Sequence, residues 1–454
     1  MREKLSQRTK YLYGVGDLGF SLTSTIIGAY FAIFLTDVVG IAPRIAALAI
    51  FIGRTWDYFN DPFFGHLTDR TRTRWGRRRP FLLFGTIPFA LVFILMWYRP
   101  PFESDLALAI YYAGIFVLYD AAATLVYMPY FALTPELTSD YDERTSLTSI
   151  RAFFSIIGSL IAFTIPLMIV GGFSPEHAPQ VLQMGILFAA ISAVPLLVVF
   201  FGTRERQEYM TQKQPSLRQS LGASWKNKPF IFGLVIYLFT WVSVDILQAI
   251  LLFFIKYVVL METHNDLIMA TIFIVAMVAL PAWTWASRKW NKRKAYIIGI
   301  AFWAVVQLFL GSVASTTPLP WILLLCVLAG IGVSAAHVLP WAMIPDAIEW
   351  GEWHTGERHE GMFYSLITLA QKIASSAAVP LALLVLDATG YQPNLASQPA
   401  SAIQGIRLVI GPIPAVLLCL GILFALLYPL GRERYTQITA DLAERRAASK
   451  EPTG

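Results

Sequence analysis

The chain reads as an all-α membrane protein whose twelve transmembrane helices fall into two pseudo-symmetric six-helix bundles, and three observations predict it. Of 454 residues, 56% are hydrophobic and 14% charged, with a mean hydropathy of +0.58, too apolar for a soluble chain of this size. Twelve apolar runs of about 20 residues, each long enough to cross a bilayer, follow one another. The longest polar connection, Thr203 to Lys228, falls near the midpoint and parts six runs from six.

The first six runs lie at 11–35, 43–66, 81–98, 106–134, 148–170 and 181–202. The second six lie at 229–258, 265–286, 295–313, 320–345, 360–388 and 402–428. Residues 1–202 then form one bundle, 203–228 a cytoplasmic connection, 229–428 a second bundle and 429–454 a cytoplasmic tail. An even number of crossings puts both termini on one side. Arg2 to Lys10, the six arginines from Arg70 to Arg79, Arg144, the bases from Arg204 to Lys228 and from Arg288 to Lys294, Arg358 and the bases from Arg432 to Lys450 share that side. The opposite connections carry only Arg44 and Arg99. By the positive-inside rule both termini are cytoplasmic, in a multi-pass protein of the plasma (inner) membrane.

The net charge of +6 comes from these topological loops, so it is not read as a nucleic-acid surface. Cys326 and Cys419 each sit in an apolar run, which argues for neither a disulfide framework nor a metal site. Met1 to Lys10 is basic and no short apolar run with a small-residue cleavage site follows, so the first helix is expected to be retained. A short basic loop follows the second run of each half, at 69–79 and 288–294, a weak internal repeat. Two related halves with a substrate site between them at mid-membrane are the architecture of transporters.

Ionisable residues inside apolar spans are costly and mark ion or substrate paths. Asp57 and Asp61 are four apart in the second run, on one helix face with Arg54 one turn earlier. Their oxygens suit a cation or proton site; the alternative is a structural ion pair with Arg54 or Lys372. Lys372, midway along its run, is a counter-charge to those acids or a substrate ligand, with snorkelling as the rival reading. Arg151 lies near the start of the fifth run, where snorkelling competes more strongly; pointing inward, its planar fork suits hydroxyls or an anion. Asp120, Thr124, Tyr127 and Phe131 form a stripe on the fourth run that lines a cavity or merely packs. Asp245 has no evident partner, and His337 is read more readily as a hydrogen-bonded helix contact than as a ligand. Two acidic segments, 135–145 and 345–352, lie on the face of the basic loops. Pairing of Asp69, Arg77, Arg144, Asp346 and Glu349 across the halves would latch a cytoplasmic gate; the rival is solvated surface charge.

Together these residues resemble the glycoside-pentoside-hexuronide:cation symporters of the major facilitator superfamily, the group of the melibiose permease. The likeness rests on Tyr13-Gly-Val-Gly-Asp17, Thr36-Asp-Val-Val-Gly40, Trp56-Asp57 with Asn60-Asp-Pro62, Arg74-Trp-Gly-Arg77, Met128-Pro-Tyr130, Pro135-Glu-Leu-Thr138, Asp142-Glu-Arg144, Arg151, Pro345-Asp346 with Gly351-Glu352, Lys372 and Gly390-Tyr391. It spans nearly the whole chain. The resemblance implies a monomeric symporter in the major facilitator fold, with no cofactor beyond a coupling ion, H+ or Na+. It assigns Asp57 and Asp61, assisted by Thr124, to that ion, and sets Arg151 and Lys372 beside a small sugar or glycoside. Two departures stand out. The permease's acid of the fourth helix aligns with Tyr127 and its sugar-binding acid of the first helix with Ser21. One carboxylate fewer makes a poorer sodium cage, which favours protons. Retained Arg151 and Lys372 suit an anionic glycoside.

A lysolipid or other amphiphile is the alternative cargo. A membrane enzyme would need a nucleophile with its base or a metal cluster, and the sequence shows no such arrangement. A passive channel would need polar rings repeated over several subunits.

Overall fold

The computed structural model describes residues 5–138, 141–204, 227–356, 360–395 and 397–448, and these are helical apart from short connections and one isolated bridge between Thr73 and Gly76. In chain order the helices are α1 Gln7–Val39, α2 Pro43–Arg70, α3 Arg79–Met96, α4 Asp105–Leu137, α5 Tyr141–Val170 and α6 Ala178–Gly202. They continue with α7 Lys228–Val259, α8 Asn265–Trp290, α9 Lys292–Ser312, α10 Leu319–Thr355, α11 Glu360–Ala388, α12 Ala400–Leu426 and α13 Arg432–Ala448.

Among the described residues eleven helices are long and apolar enough to cross a membrane, one fewer than the twelve runs expected. The missing one is α2. Its 28 residues reach about 42 Å at 1.5 Å per residue, so length is sufficient; its charged side chains, Asp57 and Asp61 among them, lower its hydropathy. Two further differences have one cause. The acidic segment 345–352, expected in a loop, forms the last turns of α10, which runs on to Thr355. Of the segment 135–145, residues 135–137 likewise close α4 and residues 141–145 open α5. Hydropathy reports where the apolar environment ends, whereas backbone hydrogen bonding carries a helix on into water.

The chain forms two compact units. Unit one comprises Met1–Lys213, Gln248–Ala270 and Ser376–Ile406; unit two comprises Gln214–Leu247, Thr271–Ser375 and Arg407–Gly454. In unit one, α1 lies against α5 and α6 at glycines. A Cβ on Gly19 would stand 2.6 Å from the Ser192 carbonyl oxygen, and one on Gly158 2.7 Å from the Leu18 carbonyl oxygen. Both obstacles are backbone and cannot swing away. Gly158→Val should therefore cost about 1–3 kcal/mol, read as a lower thermal unfolding midpoint in detergent; an unchanged midpoint would refute this close packing. In unit two, Phe230, Tyr237, Ile344, Ile348, Phe363 and Ile367 build a buried cluster. Asn227 ties α10 to the start of α7, its side-chain amide donating to the Ala347 carbonyl at 2.8 Å.

Candidate functional site

In unit one, α2 and α4 present the acids. Asp57 and Asp61 are partly buried on α2, four residues apart. Between them in sequence, the buried Asn60 donates from Nδ2 to Asp120 Oδ2 at 2.7 Å. That bond ties the acid of α4 to the acid-bearing helix, a hydrogen bond to a charged group of the stronger kind. Thr124 is buried one turn further along α4. Tyr58 shares a hydroxyl hydrogen bond with Ser376 on α11.

A second group surrounds Arg151. Its guanidinium lies 3.4 Å from the carboxylate of Asp17 on α1, 4.7 Å from the ring centre of Phe131 and 5.4 Å from that of Tyr130. The ion-pair distance is too long for a well-aligned hydrogen bond, so the contact is mainly coulombic. Arg151 Nη1 also reaches Thr134 Oγ1 at 3.4 Å, and Tyr13 and Tyr130 donate to each other's carbonyls at 3.1 and 3.0 Å. Arg151 is therefore a braced residue facing α1. Asp17 is 7% exposed, and the arginine is its counter-charge.

The aromatic stripe of α4 meets α1 here. Phe20 lies edge-on to Tyr127 and Phe131, at 5.0 and 5.3 Å between ring centres. Tyr127 is 3% exposed and Phe131 only partly covered, so the stripe packs at one position and remains accessible at the next. Ser21 is buried, donating to the Asp17 carbonyl at 2.9 Å and sharing a 2.5 Å hydrogen bond with Ser155. Both polar positions that replace acids in the resemblance, Ser21 and Tyr127, are thus enclosed by helix packing.

In unit two, Asp245 finds the partner its sequence context did not suggest: Ser375 on α11 donates to its carboxylate. Tyr237 donates to Gln371 Oε1 at 2.6 Å, one residue before the partly buried Lys372. His337 Nδ1 lies 2.9 Å from the Val333 carbonyl, one turn back on its own helix, and its ring meets Trp241 edge-on at 5.3 Å. A carbonyl only accepts, so Nδ1 carries the hydrogen and Nε2 remains an acceptor.

On the side of the termini, Asp346 pairs with Lys292 at the start of α9, at 2.5 Å. The expected partner was a base of the other half; instead the pair is internal to unit two, because α10 continues as a helix past the beginning of α9. Glu349, one turn later, neighbours Tyr435 of α13, whose phenol is raised above its ordinary value by burial and then by its hydrogen bond to Glu349. Arg77 lies in the turn between α2 and α3, where Thr73 and Gly76 pair. The side chains of Asp69 and Arg144 lie outside the described residues. Lys10 pairs with Glu143 at 3.0 Å, joining the start of α1 to that of α5.

Sequence reasoning gave no role to Asp17 toward Arg151, nor to Phe20, Ser375 and Lys292. Asp17 and Phe20 were within reach: both lie within about one turn before Ser21 on a helix whose motif was already noted.

The family model described as MFS/sugar transport protein matches residues 12–432. The chain is 31% identical to an uncharacterized symporter of Synechocystis sp., over 98% of both chains. It is 29% identical to the isoprimeverose transporter of Lactiplantibacillus pentosus, over 96% of this chain and 91% of that one. It is also 29% identical to the sodium-dependent lysophosphatidylcholine symporter 1-A of Danio rerio, over 95% and 87%. Among solved structures, a D-xylose-proton symporter shares the fold, with a TM-score of 0.68 at 15% identity over 93% of this chain and 97% of that one. With a family match that runs almost from end to end and relatives aligned along most of their length, the chain belongs to the MFS/sugar transport protein family.

Proposed function

We propose that this chain is a symporter that uses a sodium gradient to accumulate a glycoside by alternating access. The observation that carries the reading is the acid-bearing face of α2 and α4, where Asp57 and Asp61 lie on one helix and Asn60 secures Asp120 beside them. Carboxylates and hydroxyls are hard oxygen donors suited to sodium. Relatives named sodium-dependent support that ion over the proton. In this reading α2 is the twelfth span, residues 1–202 and 229–428 form the two bundles, and both termini face the cytoplasm of a monomer in the inner membrane. Arg77 lies at the cytoplasmic end of the first bundle, Asp346, Lys292 and Glu349 lie at that of the second, and His337 and Lys372 are the second bundle's candidate cargo contacts.

For the cargo, Arg151 is decisive. Its charge is balanced by Asp17, so the pair offers hydrogen bonds without net charge, which supports an uncharged glycoside over an anionic one. The neighbouring rings of Phe20 and Phe131 add an apolar face on which a sugar ring or an acyl chain would rest. A second reading, a lysophospholipid as cargo, draws on that face and on the relatives that carry such lipids.

Reconstituted protein tests this directly. With a tenfold inward sodium gradient, worth about 1.4 kcal/mol, isoprimeverose should accumulate up to about tenfold at one ion per sugar. Sodium-driven uptake of lysophosphatidylcholine with none of isoprimeverose would favour the second reading, and accumulation driven equally by a pH gradient without sodium would overturn the ion assignment.

A further inference from the structure

The end of α1 and the end of α7 carry the same local structure. Residues 34–39, Phe-Leu-Thr-Asp-Val-Val, form a π-helical turn closed by Gly40 at φ 94°; residues 254–259, Phe-Ile-Lys-Tyr-Val-Val, form another closed by Leu260 at φ 58°. In both, a backbone N–H after the turn bonds back to its second residue, Leu35 or Ile255. A wide turn of this kind is rare and appears frequently at functional sites. The shared Phe and Val-Val positions make this a repeat unit in which the two copies differ where charge matters: Thr36-Asp37 in one, Lys256-Tyr257 in the other.

Those differing positions meet within unit one. Asp37 is 0% exposed. Its Oδ2 accepts from Lys256 Nζ at 2.7 Å and from the Tyr257 hydroxyl at 2.5 Å. Its Oδ1 accepts from Thr36 Oγ1 at 2.9 Å and from the Tyr391 hydroxyl, and Asn394 donates to its backbone carbonyl. Lys256 also donates to the Phe173 carbonyl, and Phe173 N–H donates to Glu262 at 3.2 Å. The carboxylate thus ties the end of α1 to the end of α7 and to the segment after α11, and Lys256 carries the link on to the connection before α6. Lys256 and Tyr257 at the same time line an open basin of about 640 Å³, together with Ser174, His177 and Asn394. The cluster therefore stands between solvent and the interior, at the end of α1 remote from the chain termini.

We propose that Asp37, Lys256, Tyr257 and Tyr391 are the gate residues that close the protein on the face opposite its termini, and that their bonds part once in each transport cycle. A carrier has to seal one face while the other is open. A seal built on a single buried carboxylate with three hydroxyls and an ammonium is strong while every donor is present and fails when one is withdrawn, because the charge is then left undercompensated. The proposal rests on the transporter reading but not on the identity of ion or cargo.

Its test needs neither. In a background with Cys326 and Cys419 replaced by serine, a single cysteine replaces Thr25, about three turns inward from Asp37 on α1. A membrane-impermeant maleimide is applied to intact cells and to everted vesicles, so that each face is read separately. Asp37→Asn should raise labelling from the Asp37 face by about tenfold, the equivalent of losing one strong contact, and Tyr391→Phe should raise it less; neither should raise it from the other face. Unchanged rates would overturn the proposal, as would a rise from both faces, which signals general loosening. If Asp37→Asn does not run as a folded species in gel filtration, Tyr391→Phe, which deletes one hydroxyl, decides alone.

Discussion

Replacing Asp57 or Asp61 by asparagine should abolish gradient-driven accumulation while leaving exchange of cargo across the membrane. The substitution keeps volume and hydrogen-bonding capacity but removes the charge, and charge is what distinguishes a site for a cation from a polar helix face. Loss of one anionic ligand should weaken ion binding at least about tenfold, or 1.4 kcal/mol, and the accumulation ratio should fall toward one. Sodium-dependent uptake into proteoliposomes measures the first effect, and counterflow without a gradient the second. Should both variants still accumulate cargo, Asp57 and Asp61 do not hold the coupling ion, and Asp120 of α4 with its partner Asn60 becomes the place to look.

The second large effect concerns stability. Arg151→Gln leaves Asp17 buried without its counter-charge, and breaking a buried pair from one side costs about 3–5 kcal/mol, most of it the unpaired charge. The long contact of 3.4 Å places the expectation at the lower end of that range. Asp17→Asn should be milder, because the arginine retains the faces of Phe131 and Tyr130. The double variant should recover most of the lost thermal stability yet fail to accumulate cargo, which separates holding the fold from contacting cargo. If Arg151→Gln unfolds at the same temperature as the unaltered protein, the pair contributes little and the neutral-cargo reading loses its basis.

The residues differ in how far they could be read in advance. The helices were legible because a bilayer demands long apolar runs, and the acids at 57 and 61 because charge within such a run is conspicuous. The ends of the helices were not, as α10 shows by continuing through Asp346 and Glu349 to Thr355. Asp37 stood in a motif already noted, but its partners Lys256 and Asn394 are 219 and 357 positions away. The signal that could have led to it is the repeat of Phe34 to Gly40 in Phe254 to Leu260, which composition and loop charge alone do not reveal. Asp245 was the same problem at a separation of 130 residues.

What the sequence by itself determined is therefore what acts over a few residues: helix, apolar span, and which turns carry charge. Helical period places Arg151, Asp57 or Asp37 on a face of a helix, but nothing local says what that face meets. Only the tertiary structure decided that Arg151 faces Asp17, that Asn60 holds Asp120, and that Asp37 gathers donors from two distant segments. The physical reason is that a buried charge is satisfied by whatever packing brings within about 3 Å, and that neighbour is set by how distant helices stack.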